Sequence, residues 1–226
     1  MKLKMMVWIL YLCVVATLVC CSSNRPTTST ESTSTKYFAY VTDLNSNNVL
    51  AYTIDKTTGV LSVIGSPVAT GNGPYAIAVT PASKFAYVAN YFSGDISTYT
   101  INATTGALTI IGSPVAAGSG AHSVTVAPTG KFAYVANSLS DSISAYTIDS
   151  TTGALTAIGS PVAAGTNPTS VTVDPTGKFV YVVNFGGGNV SAYTINADTG
   201  ALTAIGSPVT AGVVPSSIVT VKKVGE

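Results

Sequence analysis

The sequence predicts an all-β fold, a β-propeller of four four-stranded blades. Three observations point there. The chain repeats every 47 residues: Thr-Gly ends at Gly59, Gly106, Gly153 and Gly200, and Gly-Ser-Pro-Val begins at Gly65, Gly112, Gly159 and Gly206. Phe38, Phe85, Phe132 and Phe179 keep the same step. A period of that size, built from short β-type segments, marks a circular or stacked array. Each unit holds four strand-like segments separated by turn signals. Finally, these segments are apolar or small on both faces, as a sheet sandwiched between two neighbours requires. The alternative architecture is an open β-solenoid.

The third unit shows the elements in order. Lys131–Asn137 is a strand by its aromatic and β-branched content, and Ile143–Ile148 is the next. Asp149-Ser150-Thr151-Thr152-Gly153 is a turn whose glycine supplies a positive φ. Ala154–Ile158 follows, and Gly159-Ser160-Pro161 interrupts or ends it, because proline cannot donate to a central ladder. Ser170–Val173 is a further strand, closed by Asp174-Pro175-Thr176-Gly177. With blade strands lettered a to d from the centre outward, the array starts at b (Tyr37–Val41) and stops at a (Ser217–Val221). The last segment is therefore expected to pair with the first and close the ring, removing free edges.

Composition narrows the function. Of 226 residues only 8% are charged, about a third of the usual share, and the net charge is +1. Beyond residue 35 there is no arginine, and glutamate occurs only at Glu226. No field would steer a polyanion to such a surface, so nucleic acid is not an expected partner. The three cysteines are Cys13, Cys20 and Cys21, so the repeats carry neither a disulfide nor a thiolate site.

Residues 1–21 read as a signal segment: Lys2 and Lys4 precede an apolar run too short for a membrane span. Leu18-Val19-Cys20-Cys21 resembles a bacterial lipobox, which implies lipidation at Cys21, with Cys20 as the alternative. Ordinary cleavage or an uncleaved anchor are the other outcomes. Ser22 in the following position implies outer-membrane or cell-surface delivery, with the periplasm as the other location. Residues 22–35 form a Ser/Thr-rich tether with too little apolar surface to fold, and 36–226 form the propeller.

Tyr87-Val88-Ala89-Asn90, Tyr134-Val135-Ala136-Asn137 and Tyr181-Val182-Val183-Asn184 resemble the YVTN repeats of lactonase-family propellers. That family includes 6-phosphogluconolactonase-like and surface-layer proteins. The first unit departs, with Tyr40-Val41-Thr42-Asp43. Members mostly have seven blades, whereas this chain has units for four. The resemblance implies the fold; for activity it implies a lactone hydrolase, although enzymes and non-enzymes share the repeat.

Comparison of the units points to one face. The a–b and c–d turns barely vary, whereas the b–c positions hold Leu44, Tyr91, Ser138 and Phe185, and the crossing positions hold Tyr75, His122, Thr169 and Ser216. Variation on one face suits binding. Tyr75, Tyr91, Phe92 and Phe185, with Asp95, His122, Asn167 and Asp141, are the candidate site residues, and aromatics with scattered polar groups suit a glycan, peptide or protein. His122 with Asp141 is the candidate catalytic pair for a hydrolase. A single histidine leaves no metal or other cofactor expected. Asp43, Asn90, Asn137 and Asn184, at the b-strand ends, are expected to cap turns rather than bind a cation. The functional expectation is a binding module, with a lactonase-type hydrolase or a structural or adhesive surface protein as alternatives, and with monomer or eight-bladed dimer as assembly states.

Overall fold

The computed structural model describes residues 35–223. The expected signal segment, the Cys21 lipidation site and the tether up to residue 34 lie outside the described residues.

All regular structure among the described residues is β, in seventeen strands. The first sheet holds β1 (Tyr37–Asp43), β2 (Asn48–Ile54) and β3 (Leu61–Ala69). The second holds β4 (Pro74–Val79), β5 (Phe85–Asn90), β6 (Asp95–Ile101) and β7 (Leu108–Ala116). In the third, β8 (Ala121–Val126), β9 (Phe132–Asn137) and β10 (Ser142–Ile148) are followed by β11 (Leu155–Ala157) and β12 (Val162–Ala163), both paired to β10. The fourth repeats this with β13 (Pro168–Val173), β14 (Phe179–Asn184), β15 (Asn189–Ile195), β16 (Leu202–Ala204) and β17 (Val209–Thr210). Every pairing is antiparallel, and all but β10–β12 and β15–β17, where the outer strand is broken in two, join chain neighbours, the meander of a propeller blade. The outer strand bends at Gly65, Gly112, Gly159 and Gly206, all at positive φ, and the proline two residues on stands at an edge where no amide is needed.

The core lies between the sheets. Phe85, Tyr87 and Ala89 of the second sheet pack on Ala133, Val135, Tyr146, Ile148 and Leu155 of the third. Phe132, Tyr134 and Ala136 repeat this against Val180, Val182, Tyr193, Ile195 and Leu202. β5 and β9 are consequently buried at every residue, which explains why both of their faces are apolar or small. Two tyrosine series bolt each interface. Tyr40, Tyr87 and Tyr134 donate to the carbonyls of Gly106, Gly153 and Gly200 in the next sheet (2.8, 2.9 and 3.0 Å). Tyr99, Tyr146 and Tyr193 donate back to Ala69, Ala116 and Ala163 (2.6, 2.7 and 2.8 Å). Tyr134→Phe strands the Gly200 carbonyl and is expected to cost about 1–2 kcal/mol in urea unfolding. The Tyr181 hydroxyl has no such partner among the described residues, so in a single copy of the chain Tyr181→Phe is expected to leave the unfolding midpoint where it is.

The expected closure does not occur. Among the described residues β1 pairs only with β2, so the first sheet has three strands and an open inner edge. Residues 215–221 form no strand and lie along β13: the Ile218 amide donates to Ser170 Oγ (3.3 Å) and Thr220 Oγ1 to the Val173 carbonyl (3.0 Å). The Val171 amide donates to Ser123 Oγ (3.2 Å) in the same way one unit earlier. The tail thus takes the place of the next inner strand in line, because contact with β13 is the local continuation of the repeat. The described residues form an open run of four sheets rather than a closed four-bladed ring.

Candidate functional site

The b–c turns and the starts of the inner strands meet on one face. Pro74 and Ala76 are both in register with β5, but Tyr75 between them is extruded as a bulge. His122 is the matching bulge between Ala121 and Ser123, and Thr169 that between Pro168 and Ser170. Bulges re-aim side chains, and here the aim is toward the neighbouring unit. The sequence places these residues in crossing loops; the structure puts them inside the inner strands.

The Tyr75 and His122 rings stack with centroids 4.1 Å apart and planes tilted by 37°. Tyr91, from the b–c turn after β5, lies 5.6 Å from Tyr75 and meets His122 edge-on at 6.1 Å. Phe92 closes the group edge-on to Tyr91 at 5.2 Å. Tyr75 and Phe92 nevertheless remain 47% and 64% exposed. Beside the cluster runs a groove of about 350 Å³, lined by Tyr91, Phe92, Ser93, Gly94, residues 117–120 and Leu139. Phe92 lies over Gly73, where a Cβ would fall 2.9 Å from its Cε2, and Leu139 lies over Gly120 in the next unit. Large turn residues and facing glycines thus occur together.

His122 Nδ1 lies 2.8 Å from the Thr169 carbonyl oxygen. A carbonyl only accepts, so Nδ1 carries the proton and the neutral ring keeps its lone pair on Nε2. Burial lowers the imidazole's affinity for a proton below the ordinary histidine range, partly opposed by the Thr169 hydrogen bond. The ring is therefore neutral at pH 7 and able to accept a proton or a ligand hydroxyl.

The structure does not join His122 to Asp141. Asp141 sits at positive φ (49°), and its Oδ1 accepts the Asn167 amide (2.7 Å). Asn47 does the same to the Gly73 amide in the first unit (2.8 Å), so this position ties a b–c turn to the following inner strand. Asn167 likewise has positive φ (53°), a backbone duty that glycine fills at Gly73 and Gly120. Asp95 Oδ1 accepts from Asn90 Nδ2 (2.6 Å), as Asn189 Oδ1 does from Asn184; the Gly71 amide, however, donates to Ser97 Oγ (3.0 Å), and the buried Asn90 Oδ1 is left without a partner among the described residues. Phe185 is exposed in the fourth unit and joins none of these aromatic contacts. Among the described residues no three His, Cys, Asp or Glu side chains converge in a way that could hold a metal ion.

Beneath the site, Asn137 and Asn184 accept the Gly118 and Gly165 amides through Oδ1 (both 3.0 Å) and donate to Ser144 and Ser191 (2.9 and 2.8 Å). They pin the loops leading to the inner strands rather than capping their own turns. Asp43 does cap its turn, accepting the Asn45 and Ser46 amides.

Residues 29–219 match the sequence profile of the family described as lactonase, 7-bladed beta-propeller. The chain belongs to the lactonase family. The fold of this lactonase-family chain is shared by solved structures. A Bacteroides uniformis protein described as a 6-phosphogluconolactonase is 22% identical, with a TM-score of 0.70 over 78% of this chain and 53% of that one. A Lactobacillus plantarum protein is 28% identical, with a TM-score of 0.69 over 77% and 53%. The periplasmic gluconolactonase of Pseudomonas aeruginosa is 19% identical, with a TM-score of 0.68 over 78% and 52%. The lactonase-family chain therefore spans about half the length of these structures, and its four sheets contrast with the family's seven blades. No match was found among curated proteins.

Within this family member, sequence comparison singled out Tyr75, Tyr91, Phe92 and His122, and the structure brings them together. It missed Leu139, whose signal was its alignment with Phe92 one unit away and a facing glycine at 120.

Proposed function

We propose that the chain is an exported, lipid-anchored propeller segment that binds a sugar-type ligand on the Tyr75–Tyr91–Phe92–His122 cluster. The observation that carries this is the mutual stacking of four rings from two adjacent units on the variable face, with two of them about half exposed or more. Flat, partly exposed rings take the C–H faces of a sugar, while the tyrosine hydroxyls and His122 Nε2 serve its hydroxyl groups. The groove alongside gives the ligand a second wall. The signal segment and the Leu18–Cys21 motif support export, as does the likeness to a periplasmic propeller. The test is a glycan array followed by titration, with the double variant Tyr91→Ala, Phe92→Ala. Loss of two rings is expected to cost about 2 kcal/mol, or roughly thirtyfold in Kd. Undiminished binding by the double variant would place the ligand elsewhere.

Family membership and the neutral His122 favour a second reading, hydrolysis of a sugar lactone. There His122 Nε2 would take the proton of a water as it attacks the lactone carbonyl, and would return that proton to the ring oxygen as the acyl C–O bond breaks, leaving a hydroxy acid. Neutral imidazole is the active form and its proton affinity is depressed. Turnover is therefore expected to be flat above about pH 6.5 and to fall as the pH drops below that, the region of the unperturbed histidine value. His122→Ala should abolish it. Absence of turnover across a panel of aldonolactones would leave the binding reading alone.

A further inference from the structure

We infer that the two ends of the four-sheet run are complementary halves of one interface, and that a second copy of this chain occupies them head to tail.

The interface repeated inside the chain has three recurring contacts, and each is left half-made at both ends. The Phe38, Phe85 and Phe132 rings lie under Gly106, Gly153 and Gly200 of the next sheet. Phe179 meets no such glycine among the described residues, and Gly59 has nothing within 4 Å of where its Cβ would stand. Tyr40, Tyr87 and Tyr134 bond the carbonyls of those same glycines. Tyr181 is the donor left over, and the Gly59 carbonyl is the corresponding acceptor. In the reverse series Tyr99, Tyr146 and Tyr193 bond Ala69, Ala116 and Ala163. Here Tyr52 is the donor left over, and Thr210 holds the matching carbonyl position.

Burial gives the same answer independently. Val88, Val135 and Val182 are 0% exposed, whereas Val41 at the same repeat position is 47% exposed. Leu108, Leu155 and Leu202 are 7–9% exposed, and Leu61 is 53% exposed. The exposed side of the first sheet is thus the surface that every later sheet buries against its predecessor.

The strands agree as well. The first sheet lacks an inner strand, and residues 215–221 occupy an inner-strand place on β13 with no outer strands beside them. The groove of about 430 Å³ bounded by Tyr181, Ile218, Thr220 and Val221 is the space a following sheet would fill. Register is set by precedent: Ile77 faces Val88, Val124 faces Val135 and Val171 faces Val182. By the same step Ile218 of one copy faces Val41 of the other. A head-to-tail contact closes when the rotation allows, and two copies supply eight blades. All blades then run the same way, so both aromatic clusters open on one face of the ring.

The test uses the full-length chain in detergent. Analytical ultracentrifugation across micromolar concentrations is expected to show a dimer, and Val41→Arg is expected to leave a monomer with unchanged β-sheet circular dichroism. A photo-cross-linking residue at position 41, in an equal mixture of light and nitrogen-15-labelled chains, is expected to couple to residues 215–221 of the other isotope. A wild-type monomer, an open polymer, a dimer that survives Val41→Arg, or cross-links confined within single chains would each overturn the inference.

Discussion

Gly153→Ala is expected to destabilise the domain by about 2–5 kcal/mol, while Gly59→Ala at the same repeat position, compared in the single copies that Val41→Arg leaves, costs about 1–2 kcal/mol. Both residues have positive φ, 76° and 73°, so an L side chain is strained in either place. The difference lies above the Cα. A Cβ on Gly153 would fall 2.7 Å from Phe85 Cγ, and Phe85 is wedged between two sheets with 6% exposure. The ring cannot move aside without shifting Tyr87, whose hydroxyl bonds the Gly153 carbonyl. A Cβ on Gly59 meets open space. For a domain of this size Gly153→Ala corresponds to roughly 5–15 °C in Tm by calorimetry. Equal Tm losses in the two variants would show that backbone strain alone decides, and that the Phe–Gly contact does not lock the sheets.

Asn137→Ala is expected to cost about 2–4 kcal/mol and to weaken ligand binding from a distance. Asn137 is 0% exposed. Its removal orphans the Gly118 amide and takes the donor from Ser144 Oγ. Each buried orphan costs about 1–3 kcal/mol, and the missing side chain leaves a void beside Gly118. The Gly118 loop runs directly into the bulge at His122, so the stacked rings lose their footing. Urea unfolding and ligand titration should therefore both shift. Asp43→Ala is the control: Asp43 caps its own exposed turn, and its loss should shift the urea midpoint far less than Asn137→Ala and leave binding unchanged. If Asn137→Ala loses stability but binds normally, the loop and the aromatic cluster are mechanically independent.

The four candidate rings that proved to be neighbours illustrate what a repeat makes legible. Tyr75 and His122 are one period apart, and so are the units carrying Tyr91 and Leu139. Equivalent positions in adjacent sheets are neighbours in space, so alignment of the units worked as a contact map. The same logic failed for His122 and Asp141, which share a unit. Nothing in the spacing shows that Asp141 and Asn167 stand where the backbone needs positive φ, and that duty holds Asp141 to the Asn167 amide. Phe185 failed for a related reason: its unit has Gly186 where Phe92 and Leu139 stand, so it lacks the neighbours that build the cluster.

By itself the sequence determined the period, the strands, the turn chemistry and the face that varies, because each is set by residues a few positions apart and repeated four times. Only the tertiary structure decided whether the last segment reaches the first. Ring closure depends on rotations accumulated over four interfaces, and no local residue pattern encodes their sum. The tail instead takes the contact nearest to hand, the flank of β13, and leaves the first sheet's edge for another partner.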